Sequence, residues 1–315
     1  MGLLLLLMSN APVSGQVVRT ADATVRGLRE SDFPRIIKLA ENVYAYEDLN
    51  GDISSNLAFT TNSFIVITSQ GVLVADGQGS VAKTKRMVEE IGKLTTQPIR
   101  YMVVCADHGD HIAGNSALPS NVTLIAHPTS KAVIERGAQA AAGRGGAAAA
   151  TVRVPQETVA DKRVLRMGDT EIQILFLGRA HTGGDLHIFL PRENILFMSE
   201  AFFNRLYPSV GGSRSAYPIE WIETIKKAEA LNARVMVPGH GFVDSPDVLK
   251  EEVVAFRRAL ENLVSESRRM QAAKVSMENA PRSINLGEFQ YWYRAANNMP
   301  DAVRQVYLEL EGKLP

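Results

Sequence analysis

Five short segments, far apart in the chain, carry residue types that ligate metal ions. They are Leu73-Val74-Ala75-Asp76, Ala106-Asp107-His108-Gly109-Asp110-His111, His181-Thr182-Gly183-Gly184-Asp185, Met198-Ser199-Glu200 and Pro238-Gly239-His240-Gly241. The chain has only six histidines, and four of them lie in these segments. Imidazoles mixed with carboxylates suit a hard-to-borderline divalent ion such as zinc. In the second segment His108 and His111 are three apart, with Asp110 beside His111. A loop of this kind after a strand can turn back and point alternate side chains into one cavity. That permits one ligand set built on His108 and another on Asp110 and His111. Clusters of this spacing also occur in solvated loops. What favours metal is the repetition of strand-then-histidine at His181 and His240, each within two residues of glycine, which lets backbone and ion approach closely.

These side chains must be positioned by elements that the hydrophobic pattern outlines. Ser63–Ile67 and Gly71–Ala75 flank Thr68-Ser69-Gln70 and predict a buried hairpin ending at Asp76. A helix follows over Ser80–Leu94, with Ser80 as its N-cap. Ile99–Cys105 is a strand running into the histidine segment, and Val122–Ala126 is the next strand. Lys131–Arg136 begins a helical stretch. Gly137–Ala150 is rich in alanine and glycine and reads as a poor helix or a mobile loop, its glycine pairs favouring the loop. Strands are expected at Val164–Met167, Ile172–Leu177, Asp185–Leu190 and Ile195–Met198, then a helix over Ile219–Leu231 and a strand over Val235–Val237. Ser245-Pro246 is a cap-plus-N1 start for a long helix with Leu249, Val253, Phe256, Leu260 and Leu263 on one face. A last helical section, with Tyr291, Trp292, Tyr293 and Val303–Leu310, closes the chain, and no fixed-period repeat is evident. Strands interspersed with helices, each ligand at a strand end or just after it, describe an α/β sandwich with its site at one rim of the sheets.

Composition narrows the function classes. Of 315 residues, 45% are hydrophobic and 22% charged, as in ordinary globular enzymes. Lysine plus arginine equals aspartate plus glutamate at 34 each, so no net field favours nucleic acid or an anionic membrane. The single cysteine, Cys105, excludes a disulfide framework and any multi-cysteine zinc site. Leu3–Leu7 is too short to span a bilayer. With small residues near Val13–Gly15 it reads as the end of a signal-peptide core, although no basic residue precedes it. Residues 1–20 are accordingly expected to be a signal peptide or disordered N-terminus of a periplasmic or secreted protein; a cytoplasmic location is the alternative.

Taken together, these segments resemble the metallo-β-lactamase-fold superfamily over roughly Asn42 to Val243. The resemblance rests on the hairpin ending at Asp76, an altered H-x-H-x-D-H motif at Ala106–His111 followed by Ala113-Gly114-Asn115, His181–Asp185, the Glu200 segment and Pro238–Gly241. It implies an α/β, αββα metallo-β-lactamase-like sandwich over residues 21–245, with a C-terminal helical extension over 246–315. It also implies ligand roles. His108 and His181 would bind a first metal, and Asp110, His111 and His240 a second. Glu200 stands where the family has a bridging aspartate, and Asp76 would orient the histidine loop. Ala106 replaces the first histidine of the motif, leaving the first site one ligand short. The expected centre is therefore asymmetric: one zinc held firmly at Asp110, His111 and His240, and a second, weaker one at His108, His181 and Glu200.

The implied activity is metal-dependent hydrolysis of a small-molecule ester, lactone, thioester or β-lactam. A divalent ion lowers the pKa of its water from about 15.7 toward 7, and the resulting hydroxide attacks the carbonyl. In this reading Asp110 would be the catalytic residue, ligating the metal, orienting the nucleophile and helping proton transfer. The alternative is a non-catalytic metal- or ligand-binding descendant of the fold, with Ala106 as its support; a redox protein with iron at the same ligands ranks last. Neither a nucleic-acid partner nor a membrane span is expected. By strand parity Asp107 and Cys105 point away from the site. His127 and His187 read as a turn and a core histidine. Phe202, Phe203, Tyr207 and Tyr217 are candidates for the substrate pocket, with packing the ordinary alternative for each, and Trp221, Tyr291, Trp292 and Tyr293 read as packing.

Overall fold

The computed structural model describes residues 18–55, 57–143, 152–210 and 216–315. Residues 1–17 of the expected leader and the second half of the alanine–glycine stretch, 144–150, lie outside the described residues. The first half of the fold contains β1 (Arg35–Ala40), β2 (Val43–Asn50), β3 (Phe59–Thr68) and β4 (Gly71–Ala75), joined as an antiparallel meander. Helix α1 (Val81–Leu94) then crosses to β5 (Ile99–Val104), which lies parallel to β4. The short turn α2 (Gly109–Ile112), β6 (Thr123–Ala126), α3 (Pro128–Gly143) and β7 (Glu157–Thr158) complete this half. The second half holds β8 (Lys162–Met167), β9 (Thr170–Phe176), β10 (Leu186–Leu190) and β11 (Ile195–Phe203), all antiparallel neighbours. Helix α4 (Pro218–Ala230) leads to β12 (Val235–His240), parallel to β11, and α5 (Pro246–Ala272) and α6 (Ala295–Leu310) follow.

Burial explains the layering. Every residue of β4 is buried, as a central strand covered on both faces requires. On its outer side Val72 and Val74 join Met102, Val104 and Leu124 beneath Met87 and Ile91 of α1 and Ile134 of α3. On its inner side Leu73 and Ala75 join Phe64, Val103, Ile174, Ile188 and Phe197 in the core between the two sheets. Phe64 and Phe197 stack there with ring centroids 5.5 Å apart. Trp221, Ile225, Phe256, Leu260 and Val303 continue this cluster into α4 and α5, which cover the second sheet, and into α6, which packs on those two helices. The architecture is the expected αββα sandwich, with α5 packed on β11 and β12.

The backbone ladder joining the two sheets is narrow: β3 and β12 pair only at Thr61 opposite His240, the last residue of β12.

Local expectations met three corrections. Gly137–Gly143 is the end of α3 rather than a loop, because alanine's helix preference outweighs the isolated glycines. Strands β1 and β2 escaped the hydrophobic pattern, since β2 carries buried Glu47 and Asp48 in place of apolar residues. Tyr291–Tyr293 are not helical: Gly287–Tyr291 forms a 3-10 turn and α6 begins at Ala295. Elsewhere Ser80 caps α1, its hydroxyl accepting from the Lys83 amide at 3.3 Å.

Candidate metal centre

The ligand-type residues come from both sheets. His108 precedes α2, and Asp110 and His111 lie in its single turn. The alternating loop expected here is thus a helical turn, whose i, i+3 spacing puts His108 and His111 on one side. His181 lies in the loop after β9, Glu200 lies within β11, and His240 ends β12. The side-chain atoms fall into two compact groups: Asp110, His111, Glu200 and His240 in one, and His108, His181 and Glu200 in the other. The structure thereby brings together all six residues picked out in the sequence, and both groups share Glu200.

Three local devices aim these side chains. The first is a bulge in β11, where the register against β12 shifts on both sides of Ser199. Ser199 has φ of 48°, and the bulge turns Glu200 into the site. The second is Asp76, itself left-handed at φ 60°. Its Oδ1 accepts from the Cys105 amide at 2.8 Å and its Oδ2 from the Ser199 hydroxyl at 2.5 Å, while the same Oδ2 lies 3.1 Å from His111 Nδ1. Two non-glycine residues in left-handed conformations cost roughly 1–3 kcal/mol each, and their mutual hydrogen bond holds them there. The third is Asp185, a buried carboxylate whose Oδ2 accepts from the amides of Ala180 and Thr182 at 3.2 and 2.8 Å and so fixes the His181 loop.

The glycines beside His240 serve a purpose other than the one expected. A Cβ on Gly239 would lie 2.4 Å from the Ser199 carbonyl carbon, and one on Gly241 2.0 Å from the Asn204 oxygen. They let β12 press against the backbone of β11, rather than giving an ion room.

The donor set fits a metal. His240 Nδ1 lies 2.8 Å from the Thr60 carbonyl, so Nδ1 carries the proton and Nε2 presents its lone pair inward. Asp76 beside His111 Nδ1 orients that ring the same way. The two inward nitrogens, His111 Nε2 and His240 Nε2, face each other at 3.4 Å in a buried setting. Two ring nitrogens so placed need a proton or a metal ion between them. Glu200 Oε1 lies 3.2 Å from Nε2 of both His181 and His240, and Oε2 lies 2.8 Å from His108 Nδ1.

Electrostatics of the chain itself point the same way. Burial disfavours charge on His108, yet Glu200 overcomes it and lifts the imidazole to about 9. Burial likewise opposes charge on His111, but Asp110, Asp76 and Glu200 raise it to about 10. For His181, burial wins and its pKa falls. Burial would raise the Glu200 carboxyl; His108, His181 and His111 hold it well below the usual range instead. The carboxylates thus hold protons on His108 and His111 that a divalent ion would displace.

The other sequence candidates separate cleanly. Asp107 is buried outside both groups. Cys105 is buried, with its thiol pushed up by burial. His127 stacks on Phe176 with centroids 4.2 Å apart, and its Nδ1 accepts from the Thr129 amide at 3.2 Å. His187 is fully buried in β10, and burial pushes it down to about 4. Of the four aromatic pocket candidates, Phe203 lines the cavity over the ligand groups, a space of about 400 Å³, whereas Phe202, Tyr207 and Tyr217 do not. Trp221 is packing, as expected, and its ring lies 5.2 Å from His181. Sequence reading missed Phe59, Leu206, Ser209 and Arg294 in the lining. It also missed Thr61, whose hydroxyl donates to Asp110 Oδ2 at 3.2 Å. Phe59 and Thr61 were findable by extending the hairpin strand four residues backward; Arg294 had no local signal.

Comparison with known proteins agrees with this geometry. The family model described as "Metallo-beta-lactamase superfamily" matches residues 59–240. A "Metallo-beta-lactamase type 2" of Bacillus sp. (strain 170) is 25% identical over 68% of this chain and 79% of its own length. Another of that description, from Bacteroides fragilis, is 26% identical over 69% of this chain and 82% of its own. The solved metallo-beta-lactamase from Pontibacter korlensis shares the fold with a TM-score of 0.58 at 19% identity, covering 71% of this chain and 98% of that one. With the family model spanning more than half of the chain, this protein belongs to the metallo-beta-lactamase superfamily and is one of its hydrolases.

Proposed function

We propose that the protein is a zinc-dependent hydrolase of a small carbonyl substrate: an ester, lactone, thioester or β-lactam. The observation that carries this reading is the convergence of two ligand groups on one shared carboxylate, Glu200, at the floor of the cavity. A cavity of this size accepts a small molecule. Asp110, His111 and His240 form the complete set with Glu200, and His108 with His181 depends on Glu200 for its third donor. Ala106 is fully buried and offers no donor.

When bound, the divalent ion supplies Lewis acidity and an acidified water. The chain's own contributions are distinct. Asp110, steadied by the Thr61 hydroxyl, is 16% exposed at its side chain, so it can meet both ion and substrate and take up the proton released at attack. His240 is fixed in its tautomer by Thr60 and braced by Phe59 and Phe203, whose ring centroids each lie 4.9 Å away. Phe59, Phe203 and Leu206 form the apolar part of the wall, against which a substrate's hydrocarbon portion can pack.

Among the described residues no helix is long and apolar enough to cross a membrane. The Leu3–Leu7 run supports export, which cell fractionation with N-terminal sequencing tests.

The deciding experiment is metal analysis of protein purified without chelators, followed by a panel of chromogenic esters, lactones, thioesters and β-lactams with and without added zinc. At least one equivalent of metal and zinc-dependent turnover of one class are expected. Tight metal with no turnover on any class would overturn the reading.

A further inference from the structure

Five arginines lie over aromatic rings in this structure: Arg26, Arg35, Arg179, Arg205 and Arg294. The first four are each paired with a carboxylate, from Asp244, Glu47, Glu220 and Glu252. Arg294 has no such partner among the described residues, and the residues outside that set contain neither aspartate nor glutamate. It lines the cavity above the ligand groups. Its guanidinium carbon lies 5.3 Å from the Phe59 ring centroid, and Phe59 in turn packs edge-on to His240. One nitrogen donates to the Leu57 carbonyl at 3.4 Å, whereas Nε is buried and has no acceptor.

A half-buried guanidinium without a carboxylate partner costs desolvation energy that the Leu57 carbonyl and the Phe59 ring offset only in part. Burial by itself pulls its pKa down, with only Tyr293 opposing. Its backbone is also left-handed, at φ 60°, where residue 294 precedes α6. The planar guanidinium fork matches a carboxylate in two parallel hydrogen bonds. The residue comes from the C-terminal segment, beyond the 59–240 region matched by the family model.

We propose that Arg294 is a specificity-determining residue that binds a carboxylate on the substrate, remote from the scissile carbonyl, so that the preferred substrates are anionic. This rests on the hydrolase reading above. The apolar stretch between Arg294 and the ligand groups, formed by Phe59 and Leu206, accommodates the short hydrocarbon link between the two functional groups.

A matched pair of esters tests it: 4-nitrophenyl butyrate, which is neutral, and mono-4-nitrophenyl glutarate, which carries a free carboxylate. For the zinc-loaded full chain, R294Q is expected to raise KM for the glutarate ester about tenfold or more while leaving kcat, and both constants for the butyrate ester, within about twofold. R294K, which keeps the charge and loses the fork, should fall between. An unchanged glutarate-to-butyrate ratio in R294Q, with its melting temperature preserved, overturns the assignment. If the wild type hydrolyses neither ester, the ester reading fails separately. Calorimetric titration with monoethyl glutarate against diethyl glutarate then decides: a preference for the anion that R294Q abolishes supports Arg294, and equal binding of the two overturns it.

Discussion

The Glu200 carboxylate reaches His108, with Oε2 2.8 Å from Nδ1, while its other oxygen faces the opposite ligand group. That reach uses the full length of a glutamate. Shortening it by one methylene, about 1.5 Å, should release His108 while keeping a carboxylate near His240. Glu200→Asp is therefore expected to lower metal content toward one ion per chain and activity by about 10–100-fold. Elemental analysis alongside kinetics checks it; a variant that keeps its full metal content would contradict the spanning role of Glu200.

Ala106 stands where the family resemblance places a histidine, next to the Cys105 amide that Asp76 holds. Ala106→His is expected to add a donor to the His108 and His181 group and raise zinc stoichiometry toward two. Unchanged stoichiometry in a folded variant would sink the asymmetric-centre idea.

Asp110→Ala and His111→Ala remove members of the complete group, and each should reduce zinc-dependent turnover by at least about 100-fold. Their melting temperatures in chelator should stay near the wild type for Asp110, which is partly exposed, and fall for the fully buried His111. Residual turnover above a tenth of wild type in Asp110→Ala would remove it from the chemistry.

Asp76→Asn isolates the charge of the residue that orients His111, because asparagine also tolerates a left-handed backbone. Zinc affinity should drop about 10–100-fold, read by competition with a chromophoric chelator. A variant with wild-type affinity would show that position 76 supports the backbone alone.

Glu47 gives a pH signature away from the ligands. It is fully buried on β2, pairs with Arg35 at 2.7 Å and accepts from the Val243 amide at 2.8 Å. Burial nevertheless raises its pKa to about 7, from 4.5 in the unfolded chain, against the pull of Arg35. A raised folded value means the native state holds the proton more tightly. Its stabilising contribution is therefore full below about 4.5 and is lost as pH rises through about 7. The difference in melting temperature between Glu47→Gln and wild type should move in favour of the variant across that window. A flat difference would show that Arg35 keeps Glu47 ionised throughout.

The ligand types and their order could be read from the chain because metal chemistry restricts them to histidine and carboxylate, and glycine and proline mark the turns around them. The hairpin before Asp76 and the helix after Ser80 were legible for the same reason: apolar period and cap are local. Buried polar residues hid β2, since Glu47 and Asp48 break the apolar run and their partners Arg35 and Arg86 lie on other elements. Glu200 could be placed at the site but not aimed, because the bulge at Ser199 depends on pairing with β12. Arg294 was illegible altogether, being defined only by what it lacks once the chain is folded.

The pairing of β3 with β12 at Thr61 and His240 has a consequence for mechanics. His108, Asp110 and His111 ride on one sheet, and His181, Glu200 and His240 on the other. An ion held between them acts as a rivet across the mouth of a sandwich whose backbone stitching there is a single residue pair. Chelation should therefore loosen the rim before it unfolds either sheet, and substitutions that change the angle between the sheets will register first as altered coordination.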